Sequence, residues 1–265
     1  MTFMDLEDPR YAYMFGFLQA DGNLYAGAGQ KERLSVEISH RDIGILQEFQ
    51  KLTPYTSTIT ERTRATNFAQ SHRSARWTVY SLEVRNRLVE AGLPYGPKST
   101  KITPPRVPFS RPDYLRGIID ADGSIGHTGK GLPFVGLTTA SSAIAAYVCH
   151  YFKRTQGIQR RPGRNTRDCV YNVLYTREAG VTVAKHLYYP GSLALDRKRE
   201  SAARVSSWVR PDDMGPARNR RPWMPMEDRF LLEAPTLAHA AERLERSVKS
   251  CQARRWRLRQ DQQSG

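Results

Sequence analysis

Apolar and polar residues alternate along this chain in two periods, and the order of those periods recurs. A helical stretch ends at Asp21-Gly22. GNLYAGAG, RLSVEIS and RDIGILQEFQKL follow it. A second helical stretch ends at Asp122-Gly123 and is followed by GSIGHTG, LPFVGLTT and SSAIAAYVCHYFKRTQG. Each set reads as strand, strand, helix. The strands show alternation with β-branched and aromatic residues. Asp42, and Ser141 or Ser142, stand at N-cap positions. Two more strands are expected in each half, near 57–63 and 75–81, then 157–163 and 170–176. LEVRNRLVEAGL and REAGVTVAKHLYY close the halves as helices. The predicted fold class is α+β: two pseudo-symmetric α-β-β-α-β-β-α halves with antiparallel, saddle-shaped sheets.

The repeat has a single offset. YMFGFLQADG (13–22) and YLRGIIDADG (114–123) align Tyr13 with Tyr114, Gly16 with Gly117, Ala20 with Ala121 and Asp21 with Asp122. An offset of 101 residues is too long for a solenoid and fits a duplicated domain half. The expected boundaries are a first half over 1–101, a proline-rich linker over 102–112 and a second half over 113–205. Asp8-Pro9 opens the first motif helix. Ser110, Pro112 and Asp113 open the second. SSWVRPDDMGPARNRRP marks a further linker over 206–222, and three short helical patterns follow over 223–260.

Charge then narrows the partner. Lys and Arg total 41 against 26 Asp and Glu, a net charge of +15. That is the electrostatic footprint of a polyanion binder, with nucleic acid first. Arginine dominates, and its planar fork suits phosphate and guanine. No apolar run reaches the roughly 18 residues of a membrane span. Cys149, Cys169 and Cys251 are odd in number and widely spaced, which argues against a disulfide framework or a cysteine zinc site. The opening MTFMDLEDPR does not resemble a secretory signal. The expected setting is the cytoplasm, near the nucleoid, in a bacterial or phage context.

The paired motif carries the chemistry. Gly16 and Ala20 share one helix face, as do Gly117 and Ala121, so two helices lined by tiny residues can approach closely. Asp21 and Asp122 would then meet at the helix ends, opposing the macrodipoles and repelling each other. A divalent cation reverses both penalties, and oxygen ligands suit Mg²⁺. A calcium loop fails for want of the acidic ladder.

Both copies resemble the LAGLIDADG motif of homing endonucleases, in its single-chain, two-motif form. The resemblance covers roughly residues 5 to 205. It implies a metal-dependent, site-specific double-strand DNA endonuclease, monomeric, with no obligate protein partner and a role in intron homing. Asp21 and Asp122 would hold Mg²⁺, with Mn²⁺ as a substitute, each acting on one strand. Ala20 and Ala121 are the accompanying metal-site candidates. Asp120 falls on a position that is not usually catalytic, and Gln19 replaces it in the first copy. The family's late basic residue maps to Lys98 and Lys198, with Lys101 and Arg197 as rivals. Glu37 fits a polar strand position that organises water or metal, with Gly136 placed opposite it in the other half. Two other functions stay open: a non-catalytic DNA-binding regulator on this scaffold, and an intron maturase.

On the open sheet faces, Arg33, Ser35, Arg76, Thr78, Arg160, Arg161 and Asn172 are the candidate DNA contacts, since a β-ribbon fits the major groove. In the tail, Trp223, Glu227, Asp228 and Trp256 resemble a Myb/SANT-type helix-turn-helix. Val248, Cys251 and Leu258 would face inward there. Lys249, Ser250, Ala253, Arg254 and Arg257 would face DNA.

Overall fold

A computed structural model describes residues 3–25, 33–66, 69–212, 214 and 223–263. They divide into two units between Arg210 and Pro211.

The larger unit holds both repeats. Helix α1 (Pro9–Asp21) starts on Asp8, whose carboxylate accepts from the Arg10 amide at 2.8 Å. β1 (Asn23–Tyr25), β2 (Arg33–Ser39), β3 (Ser57–Thr66) and β4 (Ala69–Val79) form an antiparallel sheet in the order β1-β2-β4-β3. α2 (Ile43–Leu52) precedes β3 and α3 (Leu82–Ala91) follows β4. The second repeat runs α4 (Arg111–Asp122), β5 (Gly123–His127), β6 (Pro133–Thr139), α5 (Ser142–Gln156), β7 (Gly163–Asn165), β8 (Val170–Thr176) and α6 (Glu178–Leu187). Its sheet has the matching antiparallel order β5-β6-β8-β7. The α+β class and the duplicated order therefore stand as expected.

Alternation decides which face of each sheet is covered. Leu34, Val36, Ala75, Trp77 and Val79 are buried on one face of the first sheet, as are Val135, Leu137, Val173 and Tyr175 in the second. Phe49 meets Phe17 at 5.5 Å and Trp77 at 6.0 Å, both edge-on, and Phe152 meets Tyr175 at 5.1 Å. Such pairs contribute about 0.5–1.5 kcal/mol each beyond their burial.

The structure corrects several boundaries. The strand expected over 157–163 is confined to Gly163–Asn165. Pro162 has no N–H to give a ladder, so the chain ahead of it stays unpaired. β4 stops at Val79 because Ser81 caps α3, accepting from the Val84 amide at 3.3 Å. Ser141 caps α5 as expected, but Asp42 makes no cap hydrogen bond. A helix absent from the expected order, α7 (Asp196–Ser206), follows α6. Its buried residues are only Lys198, Ala202 and Val205, too narrow a stripe to stand out in DRKRESAARVS. Residues 102–112 are pinned to both halves. The Ile102 carbonyl accepts from Ser141 Oγ at 2.6 Å, and the Ser110 amide donates to Leu6 at 2.7 Å. Most of the expected 206–222 linker lies outside the described residues.

The smaller unit contains α8 (Pro225–Glu233), α9 (Leu237–Arg243) and α10 (Val248–Gln263). Leu231, Ala234, Ala240, Ala241 and Cys251 form its core, with Trp223, Phe230, Leu237, Leu244 and Leu258 packed on it. Arg246 bonds Glu227 and lies 4.0 Å over the Trp223 ring.

Candidate active site and nucleic-acid interface

The two motif helices meet through their glycines. A Cβ on Gly16 would fall on the Tyr114 carbonyl, and one on Gly117 would fall on the Tyr13 carbonyl. The tyrosines complete a reciprocal clasp. Tyr13 Oη donates to Asp120 at 2.7 Å and Tyr114 Oη donates to Gln19 at 2.6 Å. Asp120 also accepts from Tyr188 Oη at 2.5 Å and from the Leu195 amide at 2.7 Å. Gln19 instead donates to the Gly92 and Thr103 carbonyls. The Gln19/Asp120 exchange thus follows what surrounds each position, and both residues are structural. Gly22 and Gly123 end the helices in extended backbone. Positive φ is not what they supply. A Cβ on Gly123 would sit 2.7 Å from the Ile119 carbonyl oxygen and 2.8 Å from that of Gly136.

Asp21 and Asp122 follow directly from this packing. Solvent reaches both, yet protein crowds them on most sides. Burial, and then the negative charge of Asp122, raise the Asp21 carboxyl to about 6, against the pull of Lys98, Lys198 and Arg197. Burial also raises Asp122, against Lys98 and Lys198. Lys98 Nζ donates to the Ala20 carbonyl, and burial depresses its pKa. Lys198 Nζ donates to Ile119 at 3.2 Å and to Gly123, and burial lowers it to about 8. The structure thus brings Asp21, Asp122, Lys98 and Lys198 into one electrostatic cluster. Lys101 is exposed on its turn. Arg197 is engaged across the halves, donating to both oxygens of Asp42 at 3.0 Å. No local sequence signal marks that pair, since its members lie 155 positions apart.

The cluster has the character of a cation site. Among the described residues, no ion pair neutralises either aspartate, and no group of three His, Cys, Asp or Glu converges anywhere. A divalent ion here would rest on the two carboxylates, main-chain carbonyls and a ligand's phosphate, which is magnesium-like coordination. The Ala20 carbonyl already serves Lys98, which leaves it one lone pair.

Strand register places the remaining candidates. Ser35 pairs with Thr78 and Glu37 with Arg76, so all four lie on the open face of the first sheet, with Arg33 two residues before Ser35. Thr78 is only 7% exposed. Arg62 and Arg64 share this face and were missed, although alternation along β3 marks them. Glu37 accepts from Ser74 at 2.7 Å and from Arg76 at 2.9 Å, and Arg64 lies 3.6 Å away. These partners hold its carboxyl below the usual range, and Glu37 is not among the main charges acting on Asp21. Gly136 is not its counterpart. Gly136 pairs with Ser124 and matches Ser35, whereas Thr138 matches Glu37. Asn172 is exposed on the second open face and accepts from Thr138 Oγ1 at 2.8 Å. Arg160 and Arg161 are exposed but precede β7.

In the smaller unit, Cys251 is buried and Leu258 half-buried, but Val248 is 49% exposed. Arg254 bonds Asp228 at 2.7 Å and turns inward, with Ser250 half-buried beside it. The exposed face of α10 is therefore centred on Lys249, Gln252, Ala253, Trp256 and Arg257.

No protein-family model matches the chain, and no curated protein matches its sequence. Solved structures do. The LAGLIDADG homing endonuclease I-GzeII in complex with its DNA target gives a TM-score of 0.50 at 10% identity, over 76% of this chain and 89% of that one. The meganuclease I-SmaMI bound to uncleaveable DNA gives 0.46 at 10% identity, over 75% and 89%. The I-LtrWI LAGLIDADG homing endonuclease bound to target DNA gives 0.46 at 11%, over 75% and 89%. With its glycine-packed motif helices and its two matching four-stranded sheets, this chain has the two-half fold of the LAGLIDADG homing endonucleases.

Proposed function

We propose that the chain is a site-specific double-strand DNA endonuclease that works as a monomer. One observation carries this reading: Asp21 and Asp122 meet at paired helix ends, un-neutralised, with half-buried Lys98 supplied by one half and buried Lys198 by the other. A DNA regulator without catalysis has no use for so costly a pair. Asp21 and Asp122 would hold Mg²⁺, or Mn²⁺ in its place, with the Ala20 and Ala121 carbonyls nearby. Bound there, such an ion supplies charge neutralisation at phosphate and acidifies water. Each aspartate serves one strand. Lys98 and Lys198 hold positive charge beside the phosphates, and their depressed pKa values leave them able to move a proton. The open faces bind the duplex through Arg33, Ser35, Arg76 and Asn172, with Arg62 and Arg64 adding phosphate contacts. Glu37 orients Arg76 and Arg64 as a positioning residue. Arg160 and Arg161 reach phosphates from their loop. In the smaller unit, α9 and α10 act as a helix-turn-helix that presents Lys249, Gln252, Trp256 and Arg257 to DNA, and tethering raises the effective concentration of both units.

The test is cleavage of duplexes selected from a randomised library, with Mg²⁺. Asp21→Asn and Asp122→Asn should each leave a nick, on opposite strands. Specific binding with no cut under any divalent ion would transfer the chain to the regulators, and selective binding of its own intron RNA would make it a maturase.

A further inference from the structure

The two open sheet faces differ in kind. The first presents Arg33, Arg62, Arg64 and Arg76. The second, over the paired positions Ser124, Gly136 and Leu174, then Gly126, Phe134 and Thr176, then Thr138 and Asn172, carries no charge. At its centre Leu174 is 51% exposed, and Phe134 is half-exposed on the next row. Gly136 makes room beside Leu174: a Cβ there would lie 3.1 Å from Ser124 Oγ and 3.3 Å from Leu174 Cδ1, whereas one on Gly126 would make ordinary contact with the Phe134 ring at 3.8 Å. Scattered exposed leucines are ordinary. This one lies two residues from Asn172, whose amide oxygen is engaged by Thr138. Its NH₂ is thereby left as a donor. An apolar spot beside an amide donor complements one base edge in the major groove: thymine, with its C5-methyl and its O4 acceptor.

We propose that the second sheet reads thymine in its half-site, Leu174 and Phe134 packing on C5-methyl groups while Asn172 donates to O4. This rests on the DNA-endonuclease reading and extends it to base preference. The experiment uses the full chain. A preferred duplex is selected from a random library, and deoxyuridine, which lacks the methyl, then replaces thymine one position at a time. Selection and binding are repeated with Leu174→Ala, a change at an exposed position that should leave the thermal midpoint in place. Deoxyuridine should weaken binding about fourfold at one or two positions, the worth of one buried methyl. Leu174→Ala should abolish that loss there and leave sensitivity elsewhere unchanged. A preferred duplex whose methyls can all be removed without loss overturns this proposal alone, as does undiminished methyl sensitivity in both Leu174→Ala and Phe134→Ala. Selection that enriches no sequence overturns it together with the reading beneath it.

Discussion

At the helix ends the two halves are nearly superimposable in chemistry. On the sheets they are not. At one offset, Tyr13, Gly16, Ala20 and Asp21 repeat as Tyr114, Gly117, Ala121 and Asp122, while Tyr25, Arg33, Ser35 and Glu37 become Gly126, Phe134, Gly136 and Thr138. The difference separates two constraints. Helix ends must meet each other, so a change in one half has to be met by the other. Open faces meet only what docks on them, so each half is free to diverge. A duplicated scaffold can thereby keep one cluster of charge and acquire two unlike surfaces.

The comparison breaks most visibly if the lysines are unequal. Lys98→Met and Lys198→Met should each slow one strand, by roughly a hundredfold, the scale for losing a positioned charge-stabilising group. Strand-resolved cleavage of an end-labelled duplex measures it. Equal loss on both strands from either variant would mean that the cluster acts as one site and the halves are not separate catalysts.

The next effect concerns stability and should be symmetric. Gly16→Ala and Gly117→Ala each press a methyl onto the other helix's carbonyl. Overpacking of this kind costs about 1–3 kcal/mol. Denaturant unfolding should give similar losses for both, because the clash is reciprocal. Gly44→Ala, at an open position, should lose nothing by this route.

Those glycines also show how far sequence reaches. The motif spacing foretold their close approach, because helical periodicity puts residues four apart on one face. It also foretold Asp21 and Asp122 together. What escaped was set by distant partners. Asp42 has the composition of a cap, yet it serves Arg197. Arg254 has the position of a DNA contact, yet it serves Asp228. Gly136 has the same place in LPFVGLTT as Glu37 in RLSVEIS, whereas pairing through Ser124 and Asn23 matches it to Ser35. Leu174 and Phe134 are apolar residues of alternating strands, and their spacing alone does not say which face is covered. Only register turned them outward.

A smaller effect appears with pH. Asp21 titrates near 6 in the folded chain against 3.8 for an ordinary aspartate. Between those values the folded state binds more protons than the unfolded one, so this contribution to stability is full below about pH 4 and is lost as pH rises through 6. Asp21→Asn should flatten that slope in metal-free buffer. Added Mg²⁺ should raise the thermal midpoint of the unmodified protein more at pH 7.5 than at pH 5.5, since protons and the cation compete for the same oxygens. An equal rise at both pH values would place the ion elsewhere.

The smallest effect tests an ion pair that joins the two halves and breaks the two-fold pattern. Arg197 of the second half grips Asp42 of the first, whereas the position 101 residues after Asp42 is Ala143. Asp42 is nearly buried and Arg197 partly exposed, so Asp42→Asn should cost about 1 kcal/mol or less. Its consequence for the site should be easier to see than its cost. Arg197 lowers the Asp21 pKa, and no arginine is prominent among the charges acting on Asp122. Arg197→Ala should therefore move the pH midpoint of cleavage upward on the strand served by Asp21 and leave the other strand's midpoint in place. A common shift on both strands would show that the carboxylates respond as a single titrating unit, and the asymmetry of the molecule would then be confined to its sheets.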